Sequence, residues 1–101
     1  MKPTDQIPDM QALRVEIDTL DRDLVRMLAR RRDLIDRAAQ LKAVNGWPAR
    51  IDARVEEVVA NARSHALDHG LDADLIETIW RQLIEAAIAQ EERQLERKEQ
   101  P

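Results

Sequence analysis

Between Asp9 and Gly46 the chain contains no glycine or proline, and Leu13, Ile17, Leu20, Leu24, Met27, Leu28, Leu34, Ile35, Ala38 and Leu41 recur there at helical spacing. This pattern predicts one helix from about residue 9 to about residue 44, roughly 50 Å long at 1.5 Å per residue. A typical globular helix has about 11 residues. The helix is expected to stop at Asn45-Gly46-Trp47-Pro48, because Gly can take the left-handed C-terminal position and Pro cannot continue the ladder. A rod of that length with one apolar stripe is too long for the rest of a 101-residue chain to cover. The expected solution is an intertwined homodimer, in which two long helices pair and shorter helices wrap around them.

Two shorter helices follow from the same reading. Asp52 is the expected N-cap of a second helix carrying Val55, Val58, Val59, Ala62 and Ala66, which ends near Asp68-His69-Gly70. Asp72 is the expected cap of a third, with Leu75, Ile76, Ile79, Trp80, Leu83, Ile84 and Ala87 as its apolar stripe. Residues 1–9, with Pro3 and Pro8, read as a mobile leader, residues 10–92 as one helical domain and residues 93–101 as a charged tail that should fray. Composition supports an all-α fold. Hydrophobic residues make up 44% of the chain without a Phe or Tyr, and two glycines are too few for a protein of many short strands.

The absence of cysteine rules out a disulfide scaffold, a thiol nucleophile and a thiolate metal site. No apolar run reaches the roughly 18 residues of a membrane span, and the N-terminus has no apolar signal core, so the expected location is the cytoplasm. A net charge of −4 argues against nucleic acid as a partner. The charge is uneven, however: residues 13–54 hold ten Lys/Arg against seven Asp/Glu, the balance of a chain that binds a small anion.

Two of those cations lie on the wrong face. At about 100° per residue the apolar side chains of the first helix span roughly 140° to 280°, with Arg31 at about 220° and Lys42 at about 240°. Arg30 and Arg32 point about 100° to either side, so only the middle arginine of that run faces inward. Such charges either snorkel, form a buried salt bridge to a neighbouring helix, or await an anionic ligand. Arg suits bidentate carboxylate recognition and Lys offers a movable point charge. His65 and His69 stand at metal-ligand spacing, but no third ligand accompanies them, so no metal is expected.

Leu13-Arg14-Val15-Glu16-Ile17-Asp18, Leu20-Asp21, Leu28-Ala29-Arg30-Arg31, Lys42, Pro48 and Arg54 together resemble the all-helical class of chorismate mutases, over about residues 10–92. The resemblance implies an intertwined dimer with two equivalent sites and no cofactor. It implies that Arg14 reaches a substrate carboxylate in the partner's site, that Arg31 holds the other carboxylate in its own, and that Lys42 hydrogen-bonds the ether oxygen. It makes Arg54 an active-site arginine, and it sets Glu91 at the position of the third-helix polar residue, often Gln, that contacts the ether oxygen. Periodicity alone favours Gln90, nearer the centre of that helix's stripe. Val55 stands where many members carry an acid for the substrate hydroxyl, and Ala87 where they carry a serine. The related isochorismate pyruvate lyases, which lack that acid, and the aminodeoxychorismate mutases are similar as well.

A site of cations fits the implied chemistry. Conversion of chorismate to prephenate breaks a C–O bond and forms a C–C bond in one unimolecular step, so neither nucleophile nor metal is needed. Clamping two carboxylates holds the reacting arms together, and a donor at the ether oxygen stabilises the negative charge that grows there. An ionised Glu91 has only acceptors to offer, whereas its protonated form could donate. The reading from a different class is a non-enzymatic helical dimerisation module, in which Arg31 and Lys42 are paired structurally.

Overall fold

Local signals at the ends of each predicted helix decide where the helices begin and stop. The computed structural model describes residues 3–99, with side chains to residue 96, as a 3-10 turn, Thr4–Gln6, and three α-helices: α1 (Met10–Asn45), α2 (Asp52–Asp68) and α3 (Ala73–Glu99). Asp9 accepts the Ala12 backbone N–H at 2.8 Å and so caps α1. At its other end Gly46, with φ of 71°, turns the chain so that the Trp47 N–H bonds the Lys42 carbonyl at 2.9 Å. Gly70, with φ of 69°, closes α2 in the same way, the Leu71 N–H reaching the Ala66 carbonyl at 2.8 Å. Asp72 caps α3 by accepting the Asp74 N–H at 2.9 Å.

Two expectations are corrected. Asp52 is the first residue of α2 and not its cap: the residue before the helix is Ile51, whose carbonyl accepts the Arg54 and Val55 N–H groups, while the Asp52 charge favours the helix N-terminus. The charged segment after residue 92 continues α3 to Glu99, because Leu95 packs on the core and Gln94 bonds Asp36. The chain falls into two compact units that divide between Asp33 and Leu34, inside α1. Residues 100 and 101, the end of the expected tail, lie outside the described residues.

In the first unit, Ile17, Leu20, Leu24 and Leu28 are 43–49% exposed. The stripe that defines α1 is therefore uncovered in a single chain. In the second unit α2 and α3 run antiparallel: Arg63, late in α2, pairs with Asp74 and Glu77, early in α3, and Glu56, early in α2, pairs with Arg81. Ala49, Val59, Ile84 and Ile88 form the buried core, flanked by Val55, Val58 and Leu95. No α1 residue belongs to this cluster. Ala39 is the buried residue of α1, at 2% exposure.

The α2–α3 ion pairs make this hairpin sensitive to acid. Arg81, beside Glu77, holds that carboxyl below the usual carboxylate value, with Arg63 adding to the effect. Arg50 lowers Glu85 likewise. A carboxyl depressed in the folded state adds stability above its unfolded value of 4.5, and that stability is lost as pH falls through the lower folded value. Melting temperature is accordingly expected to drop more steeply from about pH 5 to about pH 3 in the wild-type protein than in Arg81→Gln. Parallel curves would show that the pair adds nothing.

Candidate functional site

The last turns of α1, the following loop and the far half of α3 converge on one ammonium group. Lys42 Nζ donates to Glu91 Oε2 at 2.6 Å and to the Ala49 carbonyl at 2.7 Å. Glu91 is 4% exposed, the buried charged residue among the described residues, and the Lys42 side chain is 18% exposed. The Ala49 carbonyl is offered because Ala49 itself is buried in the core, between Pro48 and the start of α2. A lysine ammonium has three protons. Two are used here, and the third is available to a ligand on the partly open side.

The pair also states what the charges cost. Each ion loses several kcal/mol of hydration on burial, so the arrangement persists because the ammonium and carboxylate satisfy each other and a carbonyl completes the lysine's shell. No buried side-chain nitrogen or oxygen among the described residues lacks a hydrogen-bond partner. The salt bridge weighed for Lys42 from its place on the stripe is thus present, with Glu91 as the partner.

The other expected site residues are placed differently. Arg54 sits exposed in the first turn of α2 and pairs with Glu57 on the same helix. Arg14 is exposed and Arg31 half-buried, both in the first unit, and neither makes an ion pair or side-chain hydrogen bond among the described residues. Arg32, by contrast, bonds Asp33 at 3.2 Å. Arg22 and Arg30 are like Arg14 and Arg31 in this, so four guanidinium groups of the N-terminal unit have no counter-charge among the described residues. Val55 packs on the cluster that contains Ala49, so the wall beside the loop is apolar where an acid was weighed.

Sequence reasoning passed over two features. The Ala49 carbonyl is a backbone group with no side-chain signature. Asp36, at about 0° on α1 and so nominally on its solvent face, is half-buried and accepts hydrogen bonds from the Gln90 amide at 2.5 Å and from Gln94. Gln90, the residue that periodicity favoured for the site, is engaged there beside Glu91. His69 Nδ1 lies 2.9 Å from the His65 carbonyl, and no group of three or more possible metal ligands occurs among the described residues. None of the described helices is long and apolar enough to cross a membrane.

Residues 13–92 match the family model of chorismate mutase type II. The chain is similar to the T-protein of Haemophilus influenzae, 33% identical over 82 residues that make up 81% of this chain and 22% of that protein. It is similar to the 4-amino-4-deoxychorismate mutase of Streptomyces venezuelae, 38% identical over 72 residues, 71% of this chain and 70% of that one. It is also similar to the isochorismate pyruvate lyase of Pseudomonas aeruginosa, 32% identical over 93 residues, 90% of this chain and 89% of that one. The chain spans less than a quarter of the length of the two T-proteins it matches, at 22% and 23%.

Proposed function

Because the chain belongs to the chorismate mutase type II family, we propose that it rearranges chorismate to prephenate in the two equivalent sites of an intertwined homodimer. The observation that carries this reading is the Lys42 ammonium, fixed by Glu91 and the Ala49 carbonyl with one proton left over. That proton is offered to the ether oxygen of the substrate. As the C–O bond lengthens, negative charge collects on that oxygen, and a donor already in place stabilises it without reorganisation. Arg31 clamps one carboxylate and Arg14 of the partner subunit the other, while Arg54 exchanges Glu57 for the substrate. The clamps hold the enolpyruvyl arm over the ring, so the reaction needs no covalent help.

Helix geometry supports sharing between chains. Arg14 and Arg31 are about 25 Å apart along one helix, too far for one small dicarboxylate to touch both. The uncovered stripe of Ile17, Leu20, Leu24 and Leu28 supplies the surface on which a second copy would bring Arg14 to the other site. Mixing inactive Arg14→Ala and Arg31→Ala proteins under subunit exchange is expected to regenerate one intact site per heterodimer, about half of the wild-type activity per heterodimer. No recovery would count against a shared site.

A second reading has its own support: Val55 removes the acid weighed for the substrate hydroxyl, and the isochorismate pyruvate lyase relative matches along 89% of its length. The deciding experiment is incubation with chorismate, isochorismate and 4-amino-4-deoxychorismate separately. Prephenate from the first supports the proposal. Salicylate and pyruvate from isochorismate, with chorismate unchanged, would replace it by the lyase reading, and turnover of the amino compound alone by the aminodeoxychorismate mutase reading. No turnover of any of them would favour a non-enzymatic dimerisation module.

A further inference from the structure

We propose that Asp36 is a positioning residue, which acts with Gln90 and Gln94 to hold Lys42 at the distance and angle the reaction needs; the proposal rests on the mutase reading above. The end of α1 contributes no residue to the buried core of Ala49, Val59, Ile84 and Ile88, and its Leu34 and Leu41 are 54% and 47% exposed, so polar bridges carry much of its attachment to α3. Its one buried residue is Ala39, a small side chain that fills little space by itself. Ala39 lies midway between Asp36 and Lys42, three residues from each, and on the helix wheel it is about 60° from either. Polar bridges to α3 stand on both sides of it. On one side the Asp36 carboxylate accepts from Gln90 at 2.5 Å and from Gln94. On the other, Lys42 donates to Glu91 at 2.6 Å.

The two bridges leave α3 from adjacent residues, Gln90 and Glu91, and reach α1 about 9 Å apart along its axis. A single bridge would let the end of α1 turn about that bridge. Two bridges, about 120° apart around the α1 axis, fix both roll and slide. The bridges are unequal in their duties, because Lys42 must also offer a proton to the substrate and its bond to Glu91 is exposed to competition from an anionic ligand. Asp36 has no such second task. Its two amide donors keep the helix in register while the lysine responds to the reaction.

The test compares Asp36→Ala, Asp36→Asn and Gln94→Met with the wild-type protein, reading kcat and KM for chorismate and the ¹⁵N signal of the Lys42 ammonium. Asp36→Ala and Gln94→Met are expected to lower kcat about tenfold, since a small misplacement of a catalytic group has effects of that order. KM should stay within about twofold, and the Lys42 signal should broaden. Asp36→Asn keeps the Oδ1 acceptor and should restore most of kcat. Three outcomes overturn the proposal: wild-type kcat in both Asp36→Ala and Gln94→Met, a lowered melting temperature with unchanged kcat, or an Asn variant as impaired as the Ala one. If Asp36→Ala does not fold, Gln94→Met alone decides. A wild-type protein that leaves chorismate unchanged defeats the mutase reading instead, and the Lys42 signal in the variants still decides whether Asp36 positions the lysine.

Discussion

Lys42→Met is expected to lower kcat/KM at least a hundredfold, which corresponds to about 2.7 kcal/mol of transition-state stabilisation. Methionine keeps the length of the side chain and removes the ammonium, so the ether oxygen loses its donor. The same change leaves Glu91 at 4% exposure with no counter-charge and the Ala49 carbonyl with no lysine proton. Breaking one side of a buried pair costs about 3 kcal/mol or more, and urea unfolding should register it. The two effects separate in a double variant. Adding Glu91→Leu removes the stranded carboxylate and should recover most of the stability, because a well-packed apolar pair often replaces a buried ion pair without loss. It should recover none of the activity. If Lys42→Met retained wild-type kcat/KM, the lysine would be a structural ion only, and the proposed chemistry would fail with it.

The parts of this molecule that were legible in its sequence are those set by local chemistry. Gly46, Asp72 and Gly70 each act on the backbone within a few residues, and all three bound the helices as their residue types require. The register of α3 was harder, because that helix has two apolar faces. Its buried face, Ala73, Ile84, Ile88 and Leu95 with Glu91 among them, centres at about 120°, whereas Leu75 and Ile79, both exposed, centre at about 320°. A periodicity reading averages the two and points between them, close to Gln90. Resemblance selected Glu91, and the buried face explains its low exposure. Asp36 was hidden for a related reason: a charge at the edge of a stripe looks solvated until a neighbouring helix brings amides to it. The same holds for the tail. Its composition reads as frayed, yet one leucine and one glutamine give it attachments that composition does not weigh.

Glu91→Gln is expected to raise kcat/KM about tenfold or more at neutral and alkaline pH, the reverse of the usual effect of altering a site residue. As a carboxylate, Glu91 competes with the substrate for Lys42 at 2.6 Å and repels the ether oxygen as charge develops on it. An amide divides these roles between its two ends. Its oxygen can still accept from Lys42, which keeps the lysine in place, and its NH2 group can donate to the ether oxygen as a second preorganised donor. One such donor is worth about a hundredfold in kcat in comparable sites, and part of that is lost because an amide oxygen holds an ammonium less firmly than a carboxylate does. Steady-state kinetics of both proteins at neutral pH decide it. A variant no faster than wild type would mean that Glu91 serves only to hold Lys42 and that the lysine alone meets the ether oxygen.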